Sequence, residues 1–193
     1  MTWKEPYPQS VSPDSLAVGF GLKDWNFHPD LASVGTVLTS QTIYAVAVPL
    51  IAGRPYTGIE LLVLTPGSGS VPTNFFVGLA TIASTGVLLV KSSDLKASAS
   101  LTAANGGVQR FPFSAVYQAL STTAAMAVVL ENGAFGTTPI QFGRPAIPGH
   151  GGIEGSFLAA LCGTVQSALP AVGAALPSPY GEASALPLFV GLY

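Results

Sequence analysis

The chain has 193 residues, of which only 8% are charged, seven basic and nine acidic, for a net charge of −2. That length suits one domain with a sizeable core, and 49% hydrophobic residues with a mean hydropathy of +0.52 exclude a disordered chain. No basic block is present, which excludes a nucleic-acid groove, since such grooves need clustered Lys and Arg to displace counterions.

Residues 1–18 carry Pro6, Pro8 and Pro13 among polar residues and predict an extended arm ahead of a domain over 19–193. Thr42–Ile51 sets Tyr44, Val46, Val48 and Leu50 on one face at period two, with Ile43, Ala45 and Ala47 on the other. The spacing predicts a strand covered on both sides. Gly58–Thr65 places Ile59, Leu61 and Val63 on one side before Pro66-Gly67-Ser68-Gly69-Ser70 breaks the run. Asn74–Ile82 and Val87–Val90 flank a short Gly-bearing turn and predict a β-hairpin. Gln109–Phe113 is a short strand whose Pro112 marks an edge or a strand end.

Ala124–Glu131 has Met126, Val128 and Leu130 on one face and stops at Asn132-Gly133, a turn signal. Ile140–Arg144 and Leu186–Tyr193 are further short runs. Residues 145–185 are rich in Gly, Pro and Ala and predict mainly loop, with one short helix over Ser156–Cys162. Short strands with turn signals between them predict an all-β sandwich or barrel.

Sixteen charges thinly cover a domain of this size, and none falls between Leu61 and Val90 or between Gly155 and Gly181. Either Ser, Thr, Asn, Gln and backbone solvate the surface, or much of it is buried against other chains, and burial in an oligomer or larger assembly is the expectation. Gly155–Leu176 is charge-free and long enough to span a bilayer. Its Pro170, glycines and polar residues make it too weakly apolar, so no membrane insertion is expected. The opening Met1–Pro6 has no apolar stretch of the secretory kind, so export by the general pathway is not expected. The lone Cys162 allows no intrachain disulfide and reads as a small apolar residue.

Catalytic patterns are scarce. His28 and His150 lie in no nucleophile elbow, no paired Cys and His spacing suggests zinc, and the carboxylates are scattered. The chain is therefore read as a non-enzyme with no catalytic residue, cofactor or metal. The most varied hexapeptide is Trp25-Asn26-Phe27-His28-Pro29-Asp30. A sugar platform there would stack on Trp25 and hydrogen-bond through Asn26 and Asp30. The bland alternative is a buried Trp and Phe followed by a Pro-Asp turn. Trp3, Tyr117, Tyr180 and Tyr193 are the other aromatic candidates for such a surface.

Several segments, in this order, resemble a domain found in minor tail and other virion appendage proteins of tailed bacteriophages that infect actinobacteria. They are Gly21–Asp30, Gly35-Thr36-Val37, Ile43–Pro49, Thr57–Val63, Pro66-Gly67-Ser68-Gly69, Asn74–Leu79, Gly78–Leu89, Ala125–Leu130 with Asn132-Gly133, and Ala185–Tyr193. The family usually has a Tyr where Ala80 stands here, and the match is loose from Gly143 to Glu182. The resemblance implies a jelly-roll-like antiparallel β-sandwich with long Gly/Pro/Ala-rich loops. It also implies a virion location and a structural or host-adhesive role. The partners expected from it are copies of the chain itself (trimers, by the family's habit), other virion proteins and a host cell-envelope glycan. A carbohydrate-binding module is the alternative, and a cell-wall hydrolase the third reading.

Overall fold

The computed structural model describes residues 24–25, 32–82, 86–144, 159–162, 165–177, 180–182 and 188–193. The arm over 1–18, Asn26, His28, Asp30 and His150 lie outside them. Alternating apolar and small or polar residues extend the chain into strands. They are β1 (Asp24–Trp25), β2 (Val34–Thr36), β3 (Thr42–Leu50), β4 (Pro55–Thr65), β5 (Asn74–Thr81), β6 (Leu88–Lys91), β7 (Gly107–Gln118), β8 (Thr123–Asn132), β9 (Gln141–Arg144), β10 (Ala159–Cys162), β11 (Tyr180–Glu182) and β12 (Val190–Leu192). A helical turn, α1 (Ala99–Thr102), follows β6. Ser98 caps it by accepting from the Ser100 N–H at 3.3 Å.

Strands β2 to β9 run in the orders β2-β9-β4-β7 and β3-β8-β5-β6, all antiparallel. That is the strand order of a jelly roll, two sheets through which the chain crosses back and forth. Later strands enlarge both sheets. β12 pairs with β4 on the edge that β9 also uses, and β1 pairs with β12. On the other sheet, β10 adds to β3 and β11 to β10. The fold is an all-β sandwich of two six-stranded sheets.

The interior is made by the period-two faces. Val46, Val48 and Leu50 of β3, Phe75, Val77 and Leu79 of β5, and Ala127 and Val129 of β8 meet Ile59, Leu61 and Val63 of β4, Phe111 of β7 and Phe142 of β9. Phe75 joins the layers: its ring lies 5.4 Å from Phe111 and 6.0 Å from Phe142, centroid to centroid. Such contacts add to the area each ring buries.

The face carrying Met126, Val128 and Leu130 is the opposite, outer face of the β3-β8-β5-β6 sheet. It is buried with Ile43, Ala45, Ala80 and Leu88 beneath Leu169 and Leu176. Residues 165–177 form a strap that seals this face. Leu88 exchanges backbone hydrogen bonds with Gly173 and Ala174, 2.8 and 2.9 Å, and Leu176 N–H donates to Gly86. The Lys91 ammonium donates to the carbonyls of Leu169 and Pro170 at 3.1 and 2.9 Å. The strap thereby covers the free edge of β6 as well as the outer face, which protects an edge that would otherwise pair with other chains.

Pro112 lies within β7, which pairs only with β4 among the described residues, so it sits on an edge strand as its chemistry requires. The stretch 145–185, expected to be mainly loop, contains two short strands, β10 and β11. The expected short helix over Ser156–Cys162 is corrected. Ala159–Cys162 is a strand rather than the end of a short helix. The unpaired edge of β3 offers Ala159–Cys162 a full ladder, and that outweighs the helical propensity of its two alanines and its leucine. No helix of the described residues is long and apolar enough to cross a membrane.

Candidate functional site

The outer face of the β4 sheet carries one charged cluster. Glu60 lies on β4 between Ile59 and Leu61, whose side chains face the core, so its own side chain faces outward. Its cross-strand partner on β7 is Arg110, and the Arg110 Nε donates to Glu60 Oε1 at 2.7 Å. The carboxylate is buried, with 1% of the residue exposed, whereas the Arg110 side chain is 54% exposed. Among the described residues Glu60 Oε2 has no hydrogen-bond partner. Burial raises the Glu60 pKa, and the hydrogen bond and charge of Arg110 pull it back down.

Tyr193 completes the cluster. The Arg110 guanidinium carbon stands 4.9 Å from its ring centroid, a cation–π contact. The Tyr193 carbonyl accepts from both Thr57 N–H, at 2.7 Å, and Thr57 Oγ1, at 3.1 Å, at the register shift where β4 and β7 lose step. The ring lies over Gly58. A Cβ there would come within 2.5 Å of the Tyr193 hydroxyl and collide with the Phe111 carbonyl, so only Gly allows this approach. Burial raises the Tyr193 pKa, with Arg110 lowering it and Glu60 raising it.

The pairing of β1 sets the Trp25 backbone opposite Gly191, Gly191 opposite Glu60, and Glu60 opposite Arg110. Trp25 thus belongs to the same cross-strand row as the charged pair. Asn26 and Asp30, its companions in the sugar-platform reading, lie outside the described residues, as does Trp3. Tyr117 packs half-buried against the core and Tyr180 lies in β11, so neither joins this row.

Glu60 and Arg110 were not singled out by sequence reasoning. The alternation of β4 marks Glu60 as outward, but only the β4–β7 register reveals its partner fifty residues on.

Two other acidic groups are structural. Asp94 Oδ1 accepts from Phe75 N–H at 3.0 Å and Lys96 N–H at 3.1 Å, and Oδ2 accepts from Asn74 Nδ2 at 2.8 Å. Burial works to raise its pKa, but these donors and the Lys96 charge prevail and lower it. Glu131, near the end of β8, is 2% exposed, with Oε2 unpartnered among the described residues, and burial pushes its pKa up to about 7. Among the described residues no group of three or more His, Cys, Asp or Glu is placed to hold a metal ion.

The sequence matches no family model and no curated protein. What the cluster offers chemically is a guanidinium held in place from two sides, by a buried carboxylate and a Tyr ring, at the outer surface of a rigid sheet. Held this way, Arg110 loses little freedom when something docks on that face.

Proposed function

We propose that this chain is a non-enzymatic structural protein of a tailed-bacteriophage virion, a tail or capsid appendage that acts as a homo-oligomer. The observation that carries the reading is how the phage-like segments fall on the fold. Ile43–Pro49 lies in β3, Thr57–Val63 in β4, Asn74–Leu79 in β5 and Ala125–Leu130 in β8, all strands of a jelly roll. Jelly rolls serve widely as capsid and lectin domains. The thin coat of charge supports it too, since a face destined for other subunits does not need one.

A second reading, a module that binds a bacterial cell-envelope glycan, is favoured by the row of Trp25, Gly191, Glu60 and Arg110 with Tyr193 beside it. Adhesion and architecture are compatible in an appendage.

The test is binding of the purified protein to intact actinobacterial cells and, in parallel, to isolated capsids and tails. Retention on particles alone supports an architectural role. Retention on cells, competed by envelope glycan, supports the adhesive one. Retention on neither sinks both.

A further inference from the structure

Asn is followed by Gly twice in the sequence, at Asn105-Gly106 and at Asn132-Gly133. The fold requires both glycines. Gly106 has φ +59°, and a Cβ there would lie 2.6 Å from the Val63 carbonyl oxygen. Gly133 has φ +85°, and a Cβ there would lie 2.9 Å from the Thr73 nitrogen. With no side chain on the glycine, the backbone amide after each Asn is unshielded. That amide nitrogen is the atom able to attack the preceding Asn side chain, so the surroundings of each Asn decide whether it does.

The two surroundings differ. Asn132 is the last residue of β8, 8% exposed and paired across the strands with Asn74. Its Nδ2 donates to Asn74 Oδ1 at 3.1 Å, and Gly133 N–H donates to Ser40 Oγ at 2.8 Å. Attack there breaks both bonds within a packed strand pair and leaves a carboxylate in a buried position. Asn105 is exposed, in the connection from α1 to β7. Its glycine is held by one local bond, from Gly106 N–H to the Ala103 carbonyl at 2.9 Å. An exposed turn of this kind opens without disturbing the sheets.

We propose that Asn105 is a site of spontaneous deamidation in the folded protein and that the fold shields Asn132 from the same reaction. The Gly106 nitrogen gives its proton to a base in solvent and attacks Cγ of Asn105. The N–Cγ bond forms, the Cγ–Nδ2 bond breaks, and the departing nitrogen takes up a proton and leaves as ammonia. Water then opens the cyclic imide. Cleavage of the new N–Cγ bond gives Asp, and cleavage between the nitrogen and the Asn105 main-chain carbonyl gives isoaspartate. Nothing is oxidised or reduced. Either product adds one negative charge to a chain whose net charge is −2.

The test incubates the full chain in mildly alkaline buffer at body temperature, folded and in guanidinium chloride, and follows both Asn-Gly peptides by mass spectrometry. Labelling by an isoaspartyl methyltransferase is the second readout. In the folded chain Asn105 is expected to convert at least about ten-fold faster than Asn132. In guanidinium chloride the two are expected to convert at similar rates, since each Asn then meets the same unshielded glycine amide. Asn105→Gln, whose longer side chain closes a ring less readily, should remove the acidic species seen by ion exchange and leave the Asn132 peptide as in the parent. Equal rates at the two sites in the folded chain overturn the proposal, and so does an Asn105 that stays unmodified when folded. A preference for Asn105 that persists unchanged in guanidinium chloride also overturns it, because the selectivity would then belong to the local sequence rather than to the fold.

Discussion

Glu131 gives the sharpest quantitative test of the fold. Its cross-strand neighbours on β8's two sides are Thr42 and Phe75, and Phe75 faces the core. The residue is 2% exposed and Oε2 finds no donor among the described residues, so burial raises its pKa from the ordinary 4.5 to about 7. For an acid, a raised folded-state pKa means that the native protein holds a proton the unfolded chain has released. Stability therefore falls as pH rises from about 4.5 to about 7 and is flat on either side of that window. A change of that size amounts to about 3 kcal/mol, a large share of the 5–15 kcal/mol that typically separates folded from unfolded domains.

The perturbation is Glu131→Gln, which keeps the shape and removes the titration. Urea unfolding at about pH 4 and about pH 8 measures the stability of parent and variant. Any cost of burying the amide enters at both pH values and cancels in the difference. Glu60, also raised by burial, titrates in both proteins and cancels too. Asp94, lowered, loses its contribution as pH falls below the window, and Tyr193, raised, titrates above it. The parent is expected to lose about 3 kcal/mol more than the variant between the two conditions. Parallel pH profiles would refute the reasoning and mean that Glu131 reaches solvent or a donor in solution.

Arg110→Ala removes the only hydrogen-bond donor on the buried Glu60 carboxylate among the described residues. A loss of about 2 kcal/mol at neutral pH is expected, shrinking as pH falls and Glu60 takes up a proton, as followed by the same urea titrations. A loss that did not depend on pH would point to packing against Tyr193 instead. Lys91→Met keeps the length of the side chain but drops its two hydrogen bonds to the strap carbonyls. Residues 165–177 should then open locally at a cost lower by about 1–2 kcal/mol, read by amide hydrogen exchange at Gly173 and Leu176, while exchange in β8 stays as in the parent.

The period-two signal was legible wherever a strand has one buried face and turn residues at both ends. Val46, Val48 and Leu50, the β5–β6 hairpin and the edge position of Pro112 all follow from that signal. The sequence also marked Met126, Val128 and Leu130 as an apolar face, but alternation does not say which layer a face meets. These three look away from the other sheet, and Ala125, Ala127 and Val129, the smaller set, fill the sandwich. Both faces of β8 are apolar, and the strap that decides between inner and outer lies more than thirty residues downstream in a stretch with little periodicity of its own. β10 was missed for the same reason, since its strand state comes from the open edge of β3 rather than from its own residues.

The candidate site shows this limit most clearly. Glu60 and Arg110 are ordinary outward-facing polar residues in their own strands. Their pairing depends on the β4–β7 register, which the chain sets only after passing through β5, β6 and α1 in between. Trp25 enters the row only through β12, the last strand of the chain order, which docks on β4 beside β9. In a jelly roll most neighbours in space are distant in sequence, so a surface cluster of this kind leaves no local motif.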